Sequence, residues 1–195
     1  NSFLDGALIV NLAAYYAKYK NYQANSPDFV NGVRTTRLIN AGSVSTQGFE
    51  FELVATPADN FSVNAGLAYN KAKVEKFLLP PGANPADLIP SGTPLANAPE
   101  WKFATGFDWT IETGGFANVE LNGQLAMQSD QIYELSANPA VRRGSTVDGY
   151  AIVDLSAALV DQNDGWRVAL QVKNLFDKSF ASSIVSGGPG GAFRY

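Results

Sequence analysis

The 195-residue chain has no cysteine and no histidine. Without cysteine there is no disulfide framework and no thiolate chemistry. Without histidine, Ser-His-Asp and Cys-His catalysis are removed, along with the commonest ligands for zinc and haem. The sequence therefore suggests no enzyme, no cofactor and no metal site. Long apolar runs are also missing. The longest uninterrupted one, Leu12 to Ala17, falls far short of the ~20 residues of a transmembrane helix, so any membrane crossing must use strands. Positive charge is scarce, with 14 Lys and Arg against 18 Asp and Glu, a net charge of −4 and a pI near 4.8. That balance leaves no electrostatic footprint for nucleic acid. The opening NSFLDGALIV lacks Met and a basic signal-peptide region, and reads as a start within a longer protein.

What is present is alternation. Hydrophobic residues make up 46% and mean hydropathy is −0.07, values that do not separate a soluble sandwich from a barrel in lipid. The period is two almost everywhere. Trp101, Phe103, Thr105, Phe107, Trp109 and Ile111 alternate with Lys102, Ala104, Gly106, Asp108 and Thr110. Phe61, Val63, Ala65, Leu67 and Tyr69 alternate with Ser62, Asn64, Gly66 and Ala68. Val119, Leu121, Leu125 and Met127 oppose Asn118, Glu120, Asn122, Gln124 and Gln128, and Val168, Leu170 and Val172 oppose Arg167 and Gln171. About seven strands are expected, near 7–23, 33–56, 61–77, 100–113, 116–133, 147–160 and 166–180. Gly42 and Gly48 mark bulges or close backbone approaches in the second.

The connections alternate as well. Ala58-Asp59-Asn60, Thr113-Gly114-Gly115 and Gln162-Asn163-Asp164-Gly165 are tight turns, whereas Asn25–Gly32, Leu78–Ala98 and Leu135–Thr146 are long polar loops. Short turns at one end and long loops at the other are the pattern of a transmembrane β-barrel. Alternation alone cannot tell lipid from core on the apolar side, but aromatic placement helps. Phe61, Trp109, Phe116 and Trp166 sit beside the short turns; Tyr69, Trp101, Phe103, Tyr133 and Phe180 lie toward the long loops. Two rings at opposite strand ends fit the girdles of a lipid belt, against the alternative of cross-strand aromatic packing in a soluble β-domain.

Short motifs in the same order resemble a known family. VKNLFDKSF (Val172–Phe180) resembles the Asn-Leu-Phe-Asp-Lys signature near the C-terminus of TonB-dependent outer-membrane receptors. NAGSVSTQGFEFEL (Asn40–Leu53) resembles a second signature, TPADNFSVNAGLAY (Thr56–Tyr69) its following turn and strand, and NAPEWKFATGFDW (Asn97–Trp109) the family's strand returning from a long loop. The resemblance implies an all-β fold: an antiparallel transmembrane β-barrel segment, about seven strands of a barrel of about 22, with residues 1–195 its C-terminal portion and the plug domain and final strand absent. It also implies a location in the bacterial outer membrane, contact with outer-membrane lipid, coupling to the TonB complex through an absent N-terminal region, and uptake of a small ligand such as a metal chelate or glycan. On that reading Asn174 replaces an apolar residue of the outer face where the last strand leaves the belt, with Phe176 and Phe180 as anchors.

Candidate sites are few. Glu50 and Glu52 share one strand face, so their carboxylates can converge on a ligand; the plainer alternative is a charge-paired wall. Asp108 with Lys102 and Glu120 with Arg167 are similar wall pairs. Arg142 and Arg143 in a long loop can grip an anion such as a ferric chelate, against the alternative of solvated loop charge. Tyr15, Tyr16, Tyr19 and Tyr22 can stack on a glycan or aromatic siderophore, or pack in girdle and loops. The Gly187–Gly191 stretch lacks a following Lys or helix and reads as a loop rather than a phosphate cradle. The loops near 25–32, 78–98, 135–146 and 181–195 are expected to capture ligand for a transporter that performs no covalent chemistry. The rivals are a small passive or structural outer-membrane barrel and a soluble β-sandwich carbohydrate-binding module.

Overall fold

The two-residue period produces strands almost without interruption. The computed structural model describes residues 2–3, 6–30, 33–79, 82–163, 165–186 and 192–194. In chain order the elements are β1 (Ser2–Phe3), β2 (Leu8–Val30), β3 (Val33–Ala58), β4 (Phe61–Phe77), β5 (Trp101–Ile111), β6 (Ala117–Gln128), β7 (Gln131–Ile132), α1 (Pro139–Gly144), β8 (Thr146–Val147), β9 (Tyr150–Asp161), β10 (Arg167–Val172), β11 (Ile184–Ser186) and β12 (Ala192–Arg194). One antiparallel sheet runs β1-β2-β3-β4-β5-β6-β9-β10. Six of its strands run eleven residues or more, β10 has six, and β1 is a stub at the edge.

Four boundaries differ from the sequence reading. Residues 25–30 of the expected Asn25–Gly32 loop are strand: β2 and β3 pair from Ala24↔Ile39 up to Val30↔Val33. Its polar residues hide a hairpin that β4 does not join, because β3–β4 pairing begins at Gly42↔Phe77. The expected strand 116–133 stops at Gln128, and the one at 147–160 starts at Tyr150; Gln131–Ile132 and Thr146–Val147 instead pair with each other. The expected strand 166–180 stops at Val172. Asn174 ends it by adopting φ 51°, and its side-chain amide donates to Lys178 O at 3.1 Å while its Oδ1 accepts from Lys178 N–H at 2.9 Å. The Asn-Leu-Phe-Asp-Lys segment is thus a side-chain-tied turn rather than the last outward residues of a strand. The expected Gly187–Gly191 loop lies outside the described residues.

Both glycines singled out in the second strand are explained. Gly42 has φ 104° at the register shift where β2, β3 and β4 part company. At Gly48 an added Cβ would stand 1.8 Å from Tyr69 O.

Register assigns the two faces. Leu12, Phe51, Leu67, Phe103, Met127 and Ala151 align across six strands, and the next apolar row, Val10, Leu53, Ala65, Thr105, Leu125 and Val153, lies beside it. Nothing among the described residues covers this face: Leu12 is 73% exposed and Leu170 72%. Apart from Ala117 and Ala158, the buried side chains gather instead at the long-loop end, among them Val44, Val74, Ile89, Thr93, Ser145, Val147 and Ile184. There the returning loop continues the ladder on β4, with Val74 N–H donating to Thr93 O at 2.9 Å, Leu95 N–H to Ala72 O at 3.1 Å and Asn70 N–H to Glu100 O at 2.8 Å.

Candidate functional site

The uncovered apolar face is bounded by aromatic rows. Toward the long loops, Phe49, Tyr69 and Trp101 touch in sequence, with ring centroids 5.9 Å apart for Phe49–Tyr69 and 4.6 Å for Tyr69–Trp101. Toward the short turns, Phe61 meets Trp109 and Phe116 meets Trp166, each at 6.2 Å. Phe61 to Tyr69 is nine residues, the lower bound of the ~9–11 that a tilted membrane strand requires. Phe180 does not join the outer row. It stacks on Tyr150 at 4.0 Å, and Tyr150 shares the polar face with Gln128 and Lys102. The Asn174 turn causes this: it is anchored by Asn174 N–H donating to Asp154 Oδ1 at 2.7 Å and Leu175 N–H donating to Val153 O at 2.8 Å, so the chain is re-aimed at the loop end. Phe176 is left exposed.

The opposite face is a polar wall. Glu50 faces Ala13 and Ala68, and Glu52 faces Asn11 and Gly66. Small neighbours leave both carboxylates exposed, and Asn11 Nδ2 donates to Glu52 Oε2 at 3.5 Å. The two glutamates stand roughly 7 Å apart along one strand, both on the wall. The expected pair of Asp108 with Lys102 does not form. Asn122 Nδ2 donates to Asp108 Oδ1 at 2.6 Å, because Asn122 is the direct cross-strand partner, whereas Lys102 stands six residues up the same strand. The expected pair of Glu120 with Arg167 does form, Nε to Oε2 at 3.0 Å, reaching diagonally across β9.

Arg142 and Arg143 sit in α1, which Asn138 caps by accepting Ala140 N–H at 2.8 Å. They do not form a matched pair. The Arg142 guanidinium donates to the carbonyls of Ser136 and Ala137 and holds its own loop together. Arg143 is exposed. This loop joins its neighbour through Asn97 N–H donating to Ile132 O at 2.8 Å, so α1 and the 82–99 segment form one crown over the wall. Of the four tyrosines, Tyr15 lies opposite Gly48, while Tyr16 and Tyr19 are exposed. Among the described residues no set of three or more acidic, His or Cys side chains is arranged to hold a metal ion.

Sequence reasoning missed one cluster. Lys18, Lys20, Lys71, Lys73 and Lys76 lie beyond the Phe49–Tyr69–Trp101 row, brought onto one face by the ladders Lys18↔Ser45↔Lys73 and Lys20↔Ser43↔Lys76. Their two- and three-residue spacings were visible, but their meeting required strand order and the bulge at Glu75.

A family model described as TonB dependent receptor-like, beta-barrel, matches residues 1–175. The fold is similar to that of the ferric yersiniabactin uptake receptor FyuA of Yersinia pestis, with TM-score 0.70 at 16% identity over 95% of this chain and 25% of that one. It is also similar to the siderophore receptor PiuA of Acinetobacter baumannii, with TM-score 0.69 at 17% identity over 92% and 23%. A third likeness is to the ferric-catecholate import receptor Fiu of E. coli K12, with TM-score 0.66 at 18% identity over 93% and 22%. At such identities the likeness is one of fold. The chain spans about a quarter of the length of these solved receptors.

Proposed function

Since the chain belongs to the TonB-dependent receptor β-barrel family, we propose that it is a late wall segment of an outer-membrane uptake receptor of about 22 strands. The observation that carries this reading is the pairing of a continuous uncovered apolar face, bounded by two aromatic rows, with a polar wall behind it. A soluble sandwich would cover that face with a second layer. Among the described residues the sheet is open, ending at the short strand β1 on one side and at β10 on the other, and lipid cannot satisfy an open edge, so further strands of the same receptor would close it.

The receptor would take up a scarce nutrient, a ferric siderophore or similar chelate, in the outer membrane of a Gram-negative cell. The energy would come from TonB through an N-terminal region that also supplies the plug. The segment itself does no covalent chemistry. Its crown, made of the ribbon of residues 24–30 and 33–39, the 82–99 segment and the α1 loop, would meet the ligand, and the polar wall would line the path. Arg143 is the better-placed anion contact, since Arg142 is committed to loop carbonyls. Glu50 and Glu52 would act as wall carboxylates along the route.

The test uses the full-length receptor. Cells expressing it should accumulate radiolabelled iron from a panel of ferric siderophores, and cells lacking it or its 82–97 loop should not. Uptake of every chelate at equal rates in both strains would sink the reading. Detection of the native polypeptide as a heat-modifiable outer-membrane band near 20.8 kDa, rather than several-fold larger, would replace it with a small stand-alone barrel.

A further inference from the structure

The chain is acidic, yet five of its eight lysines share one patch. Three rows stack on the outward face directly beyond Phe49, Tyr69 and Trp101. The first is Tyr16↔Gln47↔Lys71, the second Lys18↔Ser45↔Lys73 and the third Lys20↔Ser43↔Lys76. At sheet spacings, two strand gaps by two row steps make a patch of roughly 10 Å by 14 Å. Successive rows are about 7 Å apart, within a Debye length of about 8 Å, so neighbouring charges reinforce one another. Lys18, Lys20, Lys71 and Lys76 are exposed and Lys73 is half-buried.

One carboxylate lies among them. Glu75 is the extra residue of the β3–β4 bulge; it accepts from Ser45 Oγ at 2.5 Å and pairs with Lys73 at 3.3 Å. The groups that face it are Ser45 on β3, Lys73 on its own strand and Lys18 on β2. Their support holds its carboxyl below the usual glutamate range, through the Ser45 hydroxyl first and Lys73 next. It therefore stays charged and anchors Lys73, leaving four lysines in excess.

The opposite end of the sheet carries the other sign. The short turns hold Asp59, Glu112 and Asp161, and the one cation there among the described residues, Arg167, is tied to Glu120. Immediately below the lysines lies the apolar face of Leu12, Phe51 and Leu67. Positive charge and uncovered hydrocarbon surface thus abut across a single aromatic row.

We propose that this patch binds the phosphates of an anionic lipid headgroup in the leaflet at the long-loop end, while the lipid's acyl chains lie on the apolar face below. Lysine stems spread over the aromatic row and present their ammonium groups at headgroup depth. The charge asymmetry selects the leaflet: anionic headgroups are attracted at the lysine end and repelled at the carboxylate end. A soluble polyanion would meet the same lysines but gain nothing from the apolar surface beside them.

The proposal rests on the reading that the outer face meets lipid, and its test separates the two. The full-length receptor would be placed in nanodiscs of phosphatidylcholine doped with a bis-phosphorylated glucosamine lipid (lipid A) or its dephosphorylated counterpart, and bound lipid counted by native mass spectrometry. The native receptor should prefer the phosphorylated lipid. The triple variant Lys18→Gln/Lys71→Gln/Lys73→Gln should lose about a hundredfold in that preference, since each lysine near an anionic surface contributes about fivefold. A charge-matched triple, Lys102→Gln/Lys173→Gln/Lys178→Gln, should keep it. Heat-modifiability on a gel confirms that each variant folds. Equal binding of the two lipids, a patch variant that keeps its preference, equal loss in both triples, or full displacement by millimolar inorganic phosphate would each overturn the proposal. A receptor found outside the outer membrane would overturn the uptake reading instead, and that fractionation does not depend on the lipid count.

Discussion

At the short-turn end, Asp59-Asn60 closes β3 onto β4, and the other connections at that end are nearly as tight. Among the described residues nothing there is packed beyond the wall itself. At the long-loop end, the 82–99 segment, the β7–β8 pair and α1 fold over the strands, burying Ile89, Thr93, Ser145 and Val147 of their own and lying beside the buried Val44 and Val74 of the strands. The contrast shows where each region finds its stability. A crown with its own small core folds by excluding water. Among the described residues the wall has no second layer, so its backbone ladder holds the shape; in the proposed receptor, lipid would cover its apolar side chains.

Substitutions should break that contrast unequally. The largest expected effect is Gly48→Val. Its side chain would collide with Tyr69 O in the β3–β4 ladder, costing about 3 kcal/mol or more, and the full receptor should lose its heat-resistant gel band. Next is Val74→Ala. Val74 is 1% exposed beneath the 82–99 segment, and its truncation should cost about 1–2 kcal/mol. The crown should feel it before the wall does: limited proteolysis should cut within 82–99 while the strands stay protected. Simultaneous cutting of strands and crown would contradict their separation.

Asn174→Ala should cost about 1–2 kcal/mol, combining a left-handed backbone with the loss of both bonds to Lys178. Asn174→Gly removes the bonds but suits the backbone, so it should cost less in urea unfolding; equal costs would mean that the conformation contributes nothing. Smaller still is Glu120→Gln. The Glu120–Arg167 pair is more than a third exposed on both sides and should be worth under about 0.5 kcal/mol in denaturant titration. The smallest effect concerns acid. Glu75 has a depressed folded pKa, so its contribution is present above the ordinary glutamate pKa and fades as pH falls through the lower folded value. Melting temperature should therefore fall in strong acid slightly more for the native receptor than for Glu75→Gln.

The wall was legible because its period is strict. Phe103, Phe107, Trp109 and their opposites Lys102 and Asp108 announce faces without any knowledge of partners. Glu120 with Arg167 could be paired by sign alone, although their diagonal reach could not be foreseen. Three features were not legible, each for a reason of pairing. Asn25, Ser26, Pro27 and Asp28 look like loop residues, yet they pair with residues 35–38 because a free hairpin has no face to bury. Asp108 chose Asn122 over Lys102 because register, not charge, sets the nearest neighbour. Phe180 looked like a girdle residue until the Asn174 turn carried it to Tyr150. At the candidate site, the residue types were visible, but the commitment of Arg142 to Ser136 and Ala137 was not.

The register breaks beside Asn21 and Gly42 have one further consequence. Below them β3 pairs with both β2 and β4; above them, among the described residues, β3 pairs with β2 alone. A change of phase at that joint is not transmitted downward. Length and composition can therefore drift in the ribbon, by insertion or deletion at its tip, without turning a single lipid-facing side chain of the wall inward. One pair of strands thus joins a half whose phase both neighbours hold to a half whose length is free to change, and the boundary between them is the few residues where the register breaks.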